Sequence, residues 1–165
     1  MIMRKPTGLS GLTSFAFPLL LLAGLAGCAS TEPYGNFLGA NAPASVNERL
    51  AADSVRQLVT LYPPASTRFN LGQPTPDAYG SALLESLRTQ GYAILEFDAD
   101  LAAPADQPAA AGAAGSGLSL RYVVDAPPST NLYRVTVMVG AKSLSRAYVA
   151  QNDTVAPAGA WVRKE

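Results

Sequence analysis

The residue whose chemistry its neighbours define most sharply is Cys28, the only cysteine of the chain, preceded by Leu25-Ala26-Gly27. Small residues ahead of a cleavage point let the chain lie extended in a peptidase groove, and a thiol at that point can accept a diacylglyceryl group before the cut. The upstream residues agree. Arg4 and Lys5 stand without an acid between Met1 and Lys5, and a mostly apolar run follows, from Phe15 through Leu19 to Leu22 and on to Leu25, with Pro18 inside it. That run is too short for the ~20 apolar residues of a membrane-spanning helix. Basic start, apolar stretch, small residues and a single cysteine, in that order, predict a lipoprotein signal peptide over residues 1–27, cleavage before Cys28 and a membrane-lipid anchor on its sulfur. Ala29 replaces the Asp that commonly retains lipoproteins in the inner membrane, which favours the outer membrane, with the remaining chain facing the periplasm.

Other chemistry finds few tools. The sequence has no histidine, which removes the commonest general base and metal ligand. Its serines therefore lack a partner base, and Ser–Lys chemistry would have to be built from Lys142 or Lys164 without a supporting motif. No metal-ligand cluster, no Gly-rich phosphate loop and no Ser/His/Asp set stands in the chain. Glu96, Asp98 and Asp100 alternate at the end of a strand and would suit a cation or a carboxylate pair, but solvated charges leading into a polar segment read the same way. Arg121, Arg134 and Arg146 fall on neighbouring strands, either as a wet sheet face paired with acids or as a partner-binding stripe. Trp161 reads as a core cap or an interface anchor. No enzyme, metal or cofactor is expected. Lys plus Arg and Asp plus Glu are 12 each, and losing Arg4 and Lys5 leaves a weakly acidic mature chain without a basic cluster, so no direct nucleic-acid contact is expected.

The elements that carry these residues are legible in outline. Residues 28–44 read as a lipidated cysteine and a flexible tether, small and polar and broken by Pro33, Gly35, Gly39 and Pro43. Tyr34, Phe37 and Leu38 are unusual in a spacer. They either pack on the chain's own domain or dock into a neighbour, which makes them candidate partner-binding residues. Residues 45–165 read as one domain. Ser45 and Glu48 fit a capping box, followed by Val46, Leu50, Val55 and Leu58 at helical spacing up to Pro63-Pro64. A strand over 67–71 comes next, then a helix with Thr75 as N-cap, an apolar stripe of Tyr79, Leu83, Leu84 and Leu87, and Gly91 as its stop. Strands are expected over 92–97, 118–124, 132–139, 143–149 and 160–162, with loops at 125–131 and 150–159. Residues 98–117 are rich in Ala, Gly and Pro and form a flexible excursion. The fold class is α+β, with two helices on one face of a mainly antiparallel sheet, burying Leu50, Leu58, Leu83 and Leu87 against Val135, Val137 and Val139.

Five segments carry a resemblance: LYPPASTRFNL (61–71), LRTQGYAILEF (87–97), LRYVVD (120–125), NLYRVTVMVGAKSLSRAYV (131–149) and GAWVRKE (159–165). Together they resemble the TrbH family of conjugal transfer lipoproteins, and the lipobox LAGC at 25–28 matches that family's character. The resemblance implies a structural subunit of the mating-pair formation apparatus, a type IV secretion system, seated at the outer membrane. It implies TrbG-like and TrbI-like outer-membrane core subunits as neighbours and a multi-copy ring assembly. It supplies no catalytic residues. A second reading, from a different class, is a free-standing periplasmic lipoprotein that binds and activates an envelope enzyme.

Overall fold

The computed structural model describes residues 34–39, 42–99 and 117–165. The signal peptide expected over 1–27, Cys28 and all but the ends of the 98–117 segment lie outside the described residues.

The first helix, α1, runs Ala44–Leu61 and buries Val46, Leu50, Val55 and Leu58, the stripe expected from their spacing. Its start differs from expectation. Pro43 occupies the N-cap, the capping box does not form, and the Ser45 hydroxyl donates instead to the Asp153 carbonyl at 2.9 Å. With the helix starting at Ala44, Ser45 lies inside the first turn and its hydroxyl is used as a long-range donor. The second helix, α2, runs Ala78–Thr89, and its N-cap is Asp77 rather than Thr75. The Asp77 carboxylate accepts the Gly80 N–H at 2.8 Å, and a carboxylate is the stronger partner for amides at the positive end of a helix. Gly91 ends α2 as expected. At φ +85 it lets its own N–H reach the Arg88 carbonyl and the Tyr92 N–H reach the Leu87 carbonyl, the paired bonds of a Schellman cap.

Among the described residues eight strands form one sheet: β1 (Gly35–Asn36), β2 (Arg68–Leu71), β3 (Ala93–Leu95), β4 (Leu118–Asp125), β5 (Leu132–Val139), β6 (Lys142–Gln151), β7 (Thr154–Pro157) and β8 (Val162–Lys164). The order is β3-β2-β4-β5-β6-β7, with β1 also on β4 and β8 also on β6. The α+β class holds, and the sheet is mixed. From β4 onward every pairing is antiparallel, whereas β1, β2 and β3 make only parallel pairings. The cause is connectivity. A helix between two strands returns the chain to its starting end, so β2 and β3, joined through α2, run parallel, while short turns join β5 to β6 and β6 to β7. The first of those turns has Gly140 at φ +58 between Val139 and Lys142, and the second has Asn152 at φ +51. Strand β7 falls where a loop was expected, and β8 begins two residues beyond the expected start.

The seven residues expected to pack across the helix–sheet boundary are all buried and belong to one hydrophobic cluster. Alternate positions of the sheet feed it: Leu120, Tyr122 and Val124 from β4, Val135, Val137 and Val139 from β5, Leu144 and Tyr148 from β6. Phe69 of β2 packs between Tyr62 and Tyr92, with ring centroids at 6.2 and 5.0 Å, and the Tyr92 hydroxyl donates to the Tyr62 carbonyl at 2.6 Å. This closes the C-terminal end of α1 onto β2 and the approach to β3.

Gly80 sits where α2 meets the sheet, and a methyl group there would overlap the Tyr122 hydroxyl. Ala is the better helix former by about 1 kcal/mol. Gly80→Ala is nevertheless expected to destabilise by about 1–3 kcal/mol, because overpacking displaces a buried hydroxyl from its acceptor. A urea titration with an unchanged or raised midpoint would contradict this packing.

Candidate functional site

The densest polar cluster is built around Asp53, a buried residue of α1. Its Oδ2 accepts from the Tyr148 hydroxyl at 2.6 Å and from Arg146 Nη1 at 2.8 Å, both on β6, and its Oδ1 accepts from Arg56 Nη2 at 2.6 Å. Arg146 also donates from Nε to the Gly159 carbonyl at 2.7 Å, and its guanidinium lies 6.0 Å from the Trp161 ring centroid. Burial opposes ionisation of Asp53, but the bonds from Tyr148 and Arg56 and the charges of Arg146 and Arg56 outweigh it and hold the carboxyl below its ordinary value of 3.8. Burial drives the Tyr148 phenol upward, and donation to Asp53 adds to this.

A second pair joins α2 to β4. The Tyr122 hydroxyl donates to Asp77 Oδ2 at 2.5 Å, using the oxygen that the helix cap leaves free. Burial, then this bond, raise the Tyr122 phenol. Tyr79 stacks 4.9 Å from Tyr122 and donates to the Ser54 hydroxyl at 2.9 Å, and burial raises its phenol as well. These groups have donors and acceptors matched within the fold. Their arrangement ties α1 and α2 to β6 and β4.

The expected site residues are dispersed. Cys28 lies outside the described residues. Tyr34, Phe37 and Leu38, expected in a tether, belong to a segment that folds onto the domain. Gly35 and Asn36 pair with Val123 and Val124, and the Phe37 N–H donates to the Val124 carbonyl at 2.7 Å. Leu38 is 8% exposed and part of the core. Asn36 donates to the Asn47 side chain of α1 at 2.9 Å and accepts from the Leu38 N–H at 3.0 Å. The Tyr34 ring lies 4.9 Å from the Arg121 guanidinium, which donates to its hydroxyl at 3.3 Å. Phe37 alone of the three remains open, at 50% exposure. A strand of its own was missed because two residues are too few to show alternation.

The three arginines separate. Arg121 meets Tyr34, Arg134 makes two bonds to Asp125, and Arg146 is turned inward to Asp53. Trp161 is half-buried against the core. Glu96 pairs with Arg88, Asp98 is exposed, and Asp100 lies outside the described residues. Lys142 pairs with Glu165 at 3.3 Å, and Lys164 is exposed. Among the described residues no group of three or more acids, histidines or cysteines is placed to hold a metal ion. A groove of about 560 Å³ between α1 and α2 is lined by Val55, Arg56, Val59, Ser86 and Gln90, and its only ionisable lining group is already committed to Asp53.

Comparison with protein-family models places the chain among the conjugal transfer proteins. Residues 31–165 match the model described as "Conjugal transfer protein TrbH", so the chain belongs to the TrbH family, as its segments suggested. This is a family of conjugal transfer proteins. No curated protein and no solved structure matches the chain.

Two measurements test the geometry. Because the Asp53 carboxyl titrates below its ordinary value, its contribution to stability is complete above about pH 4 and is lost as pH falls through the lowered value. The raised phenols of Tyr79, Tyr122 and Tyr148 act oppositely, with stability present below their ordinary value of 10.0 and lost as pH rises above it. Asp53→Asn is expected to cost about 2–4 kcal/mol near neutral pH and to flatten the acid limb of the urea-midpoint profile. A variant that keeps the wild-type acid limb would show that another group carries it. Leu38→Ala is expected to cost about 2–3 kcal/mol, and Phe37→Ala to stay within about 0.5 kcal/mol of wild type. Equal melting temperatures for the two variants would place Leu38 outside the core.

Proposed function

We propose that this TrbH protein is an outer-membrane lipoprotein, acylated on Cys28, that serves as a structural subunit of a conjugative type IV secretion channel. Its neighbours in that reading are TrbG-like and TrbI-like core subunits, and several copies stand around a ring. The observation that carries the proposal is the family match, which begins at residue 31, just past Cys28, and continues to residue 165. The family region is thus the chain that cleavage before Cys28 would leave. The lipobox and the residues ahead of it support the anchor. The sparse chemistry of the chain suits a subunit that acts by holding position.

We also infer that α1 and α2 cover the same face of the sheet. Tyr148 and Tyr122, on core-facing positions of β6 and β4, bond to Asp53 of α1 and Asp77 of α2. The opposite face then remains free for contacts outside the domain.

Cys28→Ser should leave the precursor uncut and unlipidated, since a serine oxygen is not the acceptor in this chemistry. Loss of palmitate labelling, loss of outer-membrane fractionation and reduced DNA transfer are the expected outcomes. A Cys28→Ser chain that still labels with palmitate and fractionates normally would remove the lipoprotein reading. Wild-type protein that labels but fails to sediment with other transfer proteins would remove the ring reading alone.

A further inference from the structure

The geometry points to the helix-free face of the sheet as a surface that lies against the anionic phospholipid headgroups of the membrane that anchors the chain. The inference rests on the acylation of Cys28 proposed above.

Strand register defines the face. Val123 pairs with Thr136, Thr136 with Ser145 and Ser145 with Val162, while Arg121 pairs with Met138, Met138 with Ser143 and Ser143 with Lys164. Residues directly opposite one another project to the same side, and these alternate with the core-facing Tyr122, Val137 and Leu144. The charges on this side are unbalanced. Arg68, Arg121, Arg134 and Lys164 occupy such positions, and Asp125, bonded to Arg134, is the one acid among the described residues that does. The whole chain carries equal numbers of bases and acids, so this is an asymmetry of placement. Exposed acids Glu48 and Glu85 stand instead on α1 and α2. The same face offers apolar groups at its margins, with Val162 66% exposed and Phe37 50% exposed.

The path of the chain selects the occupant. The described domain begins at Tyr34, whose ring lies on Arg121 of this basic face. Five residues lie between Cys28 and Tyr34, and a fully extended chain spans at most ~3.6 Å per residue step, so the anchored sulfur is within roughly 20 Å of Tyr34 whatever path the chain takes. A protein neighbour would need to enter that gap, whereas the bilayer is already there. Clustered Lys and Arg close to a membrane are drawn to anionic lipid over about a Debye length, and the exposed apolar margin suits the headgroup boundary.

The test uses the mature, acylated chain in lipid vesicles that contain a phospholipid with a photoactivatable headgroup. After illumination, mass spectrometry locates the adducts. In vesicles rich in phosphatidylglycerol, peptides carrying Val123, Met138 and Lys164 are expected to be labelled several-fold more than the α2 peptide carrying Glu85. That excess should disappear in pure phosphatidylcholine, at ~1 M salt, where the Debye length falls to about 3 Å, and in the doubly neutralised variant Arg68→Gln with Lys164→Gln. Equal labelling of the two sides, or a bias that ignores salt and headgroup, would overturn the inference. So would protection of these peptides from a water-soluble label only in the purified secretion complex, which would give the face to a protein neighbour. The mass of the N-terminal peptide reports acylation separately. An unacylated terminus removes the lipoprotein reading and this inference with it, whereas an acylated terminus with unbiased labelling removes the inference alone.

Discussion

A strand in the middle of a sheet needs partners along both edges, because each backbone N–H and carbonyl left unpaired in the interior costs about as much as a lost hydrogen bond. Strand β4 meets this demand on one side with β5 over six registered pairs. On the other side no single strand is long enough. β2 covers Leu118 to Leu120 and extends one bond further, from the Gly72 N–H to the Leu120 carbonyl at 2.9 Å. The Tyr122 N–H then donates to the Gln73 side chain at 2.8 Å, with Gln73 only 2% exposed. β1 takes over at Val123 and Val124. Two segments distant in sequence, 68–73 and 35–36, complete one edge. The N-terminal segment is therefore part of the fold, and the depth of Leu38 follows from the pairing that places it there.

The second constraint is a carboxylate under a helix. Asp53 could not be buried without replacing the hydrogen bonds it would make to water, and three donors do this. A buried ion pair adds little net stability over a well-packed apolar one, but removing one partner is costly. Its consequence here is geometric. Arg146 and Tyr148 stand two residues apart on β6 and both reach Asp53, so sliding α1 along the sheet would break both bonds together. Arg146 extends the fixation to Gly159 and Trp161, ahead of β8, and β8 in turn shares the edge of β6 with β7. The arginine that sequence alone placed in a stripe with Arg121 and Arg134 is thus the one that turns inward. Register explains the separation: Arg146 pairs with Val135, a core-facing position, whereas Arg134 pairs with the half-buried Ala147.

Long periodic patterns were legible in the sequence, and features set by a single distant partner were not. The apolar stripes of α1 and α2, the strand over 132–139 and the packing of Leu50, Leu58, Leu83 and Leu87 against three valines all follow from side-chain spacing. Helix starts were misread because α1 begins at Ala44, which puts Ser45 inside the first turn with its hydroxyl donated to the Asp153 carbonyl, and because the Asp77 carboxylate, a stronger acceptor than the Thr75 hydroxyl, caps α2. β7 was read as loop because its four residues bury only Val155, and Pro157 argues against a strand except at an edge, which is where it lies. The parallel half of the sheet needed the connectivity through α2, which no periodicity reports. At the candidate site, the reading of Cys28 rests on its local export-signal context in the sequence alone, whereas the fate of Tyr34 and Leu38 depended on a gap beside β4 that only the folded chain reveals.

That last point changes what the anchor can do. With Cys28 acylated as proposed, a free tether over residues 29–44 would let the domain wander ~55 Å from the anchored sulfur. With Gly35 and Asn36 paired to the central strand, Leu38 in the core and Asn36 bonded to Asn47 of α1, the fixed part of the chain begins ten residues earlier. The reach falls to roughly a third of that value. Effective concentration at a surface rises steeply as such a link shortens. Under the acylation and lipid contact proposed above, a weak attraction between sheet and membrane, too small to hold a free domain, would suffice to orient the anchored one. In the channel-subunit reading proposed above, orientation lets a copy meet its neighbours in register, and it would come from the same two residue pairs that complete the edge of β4.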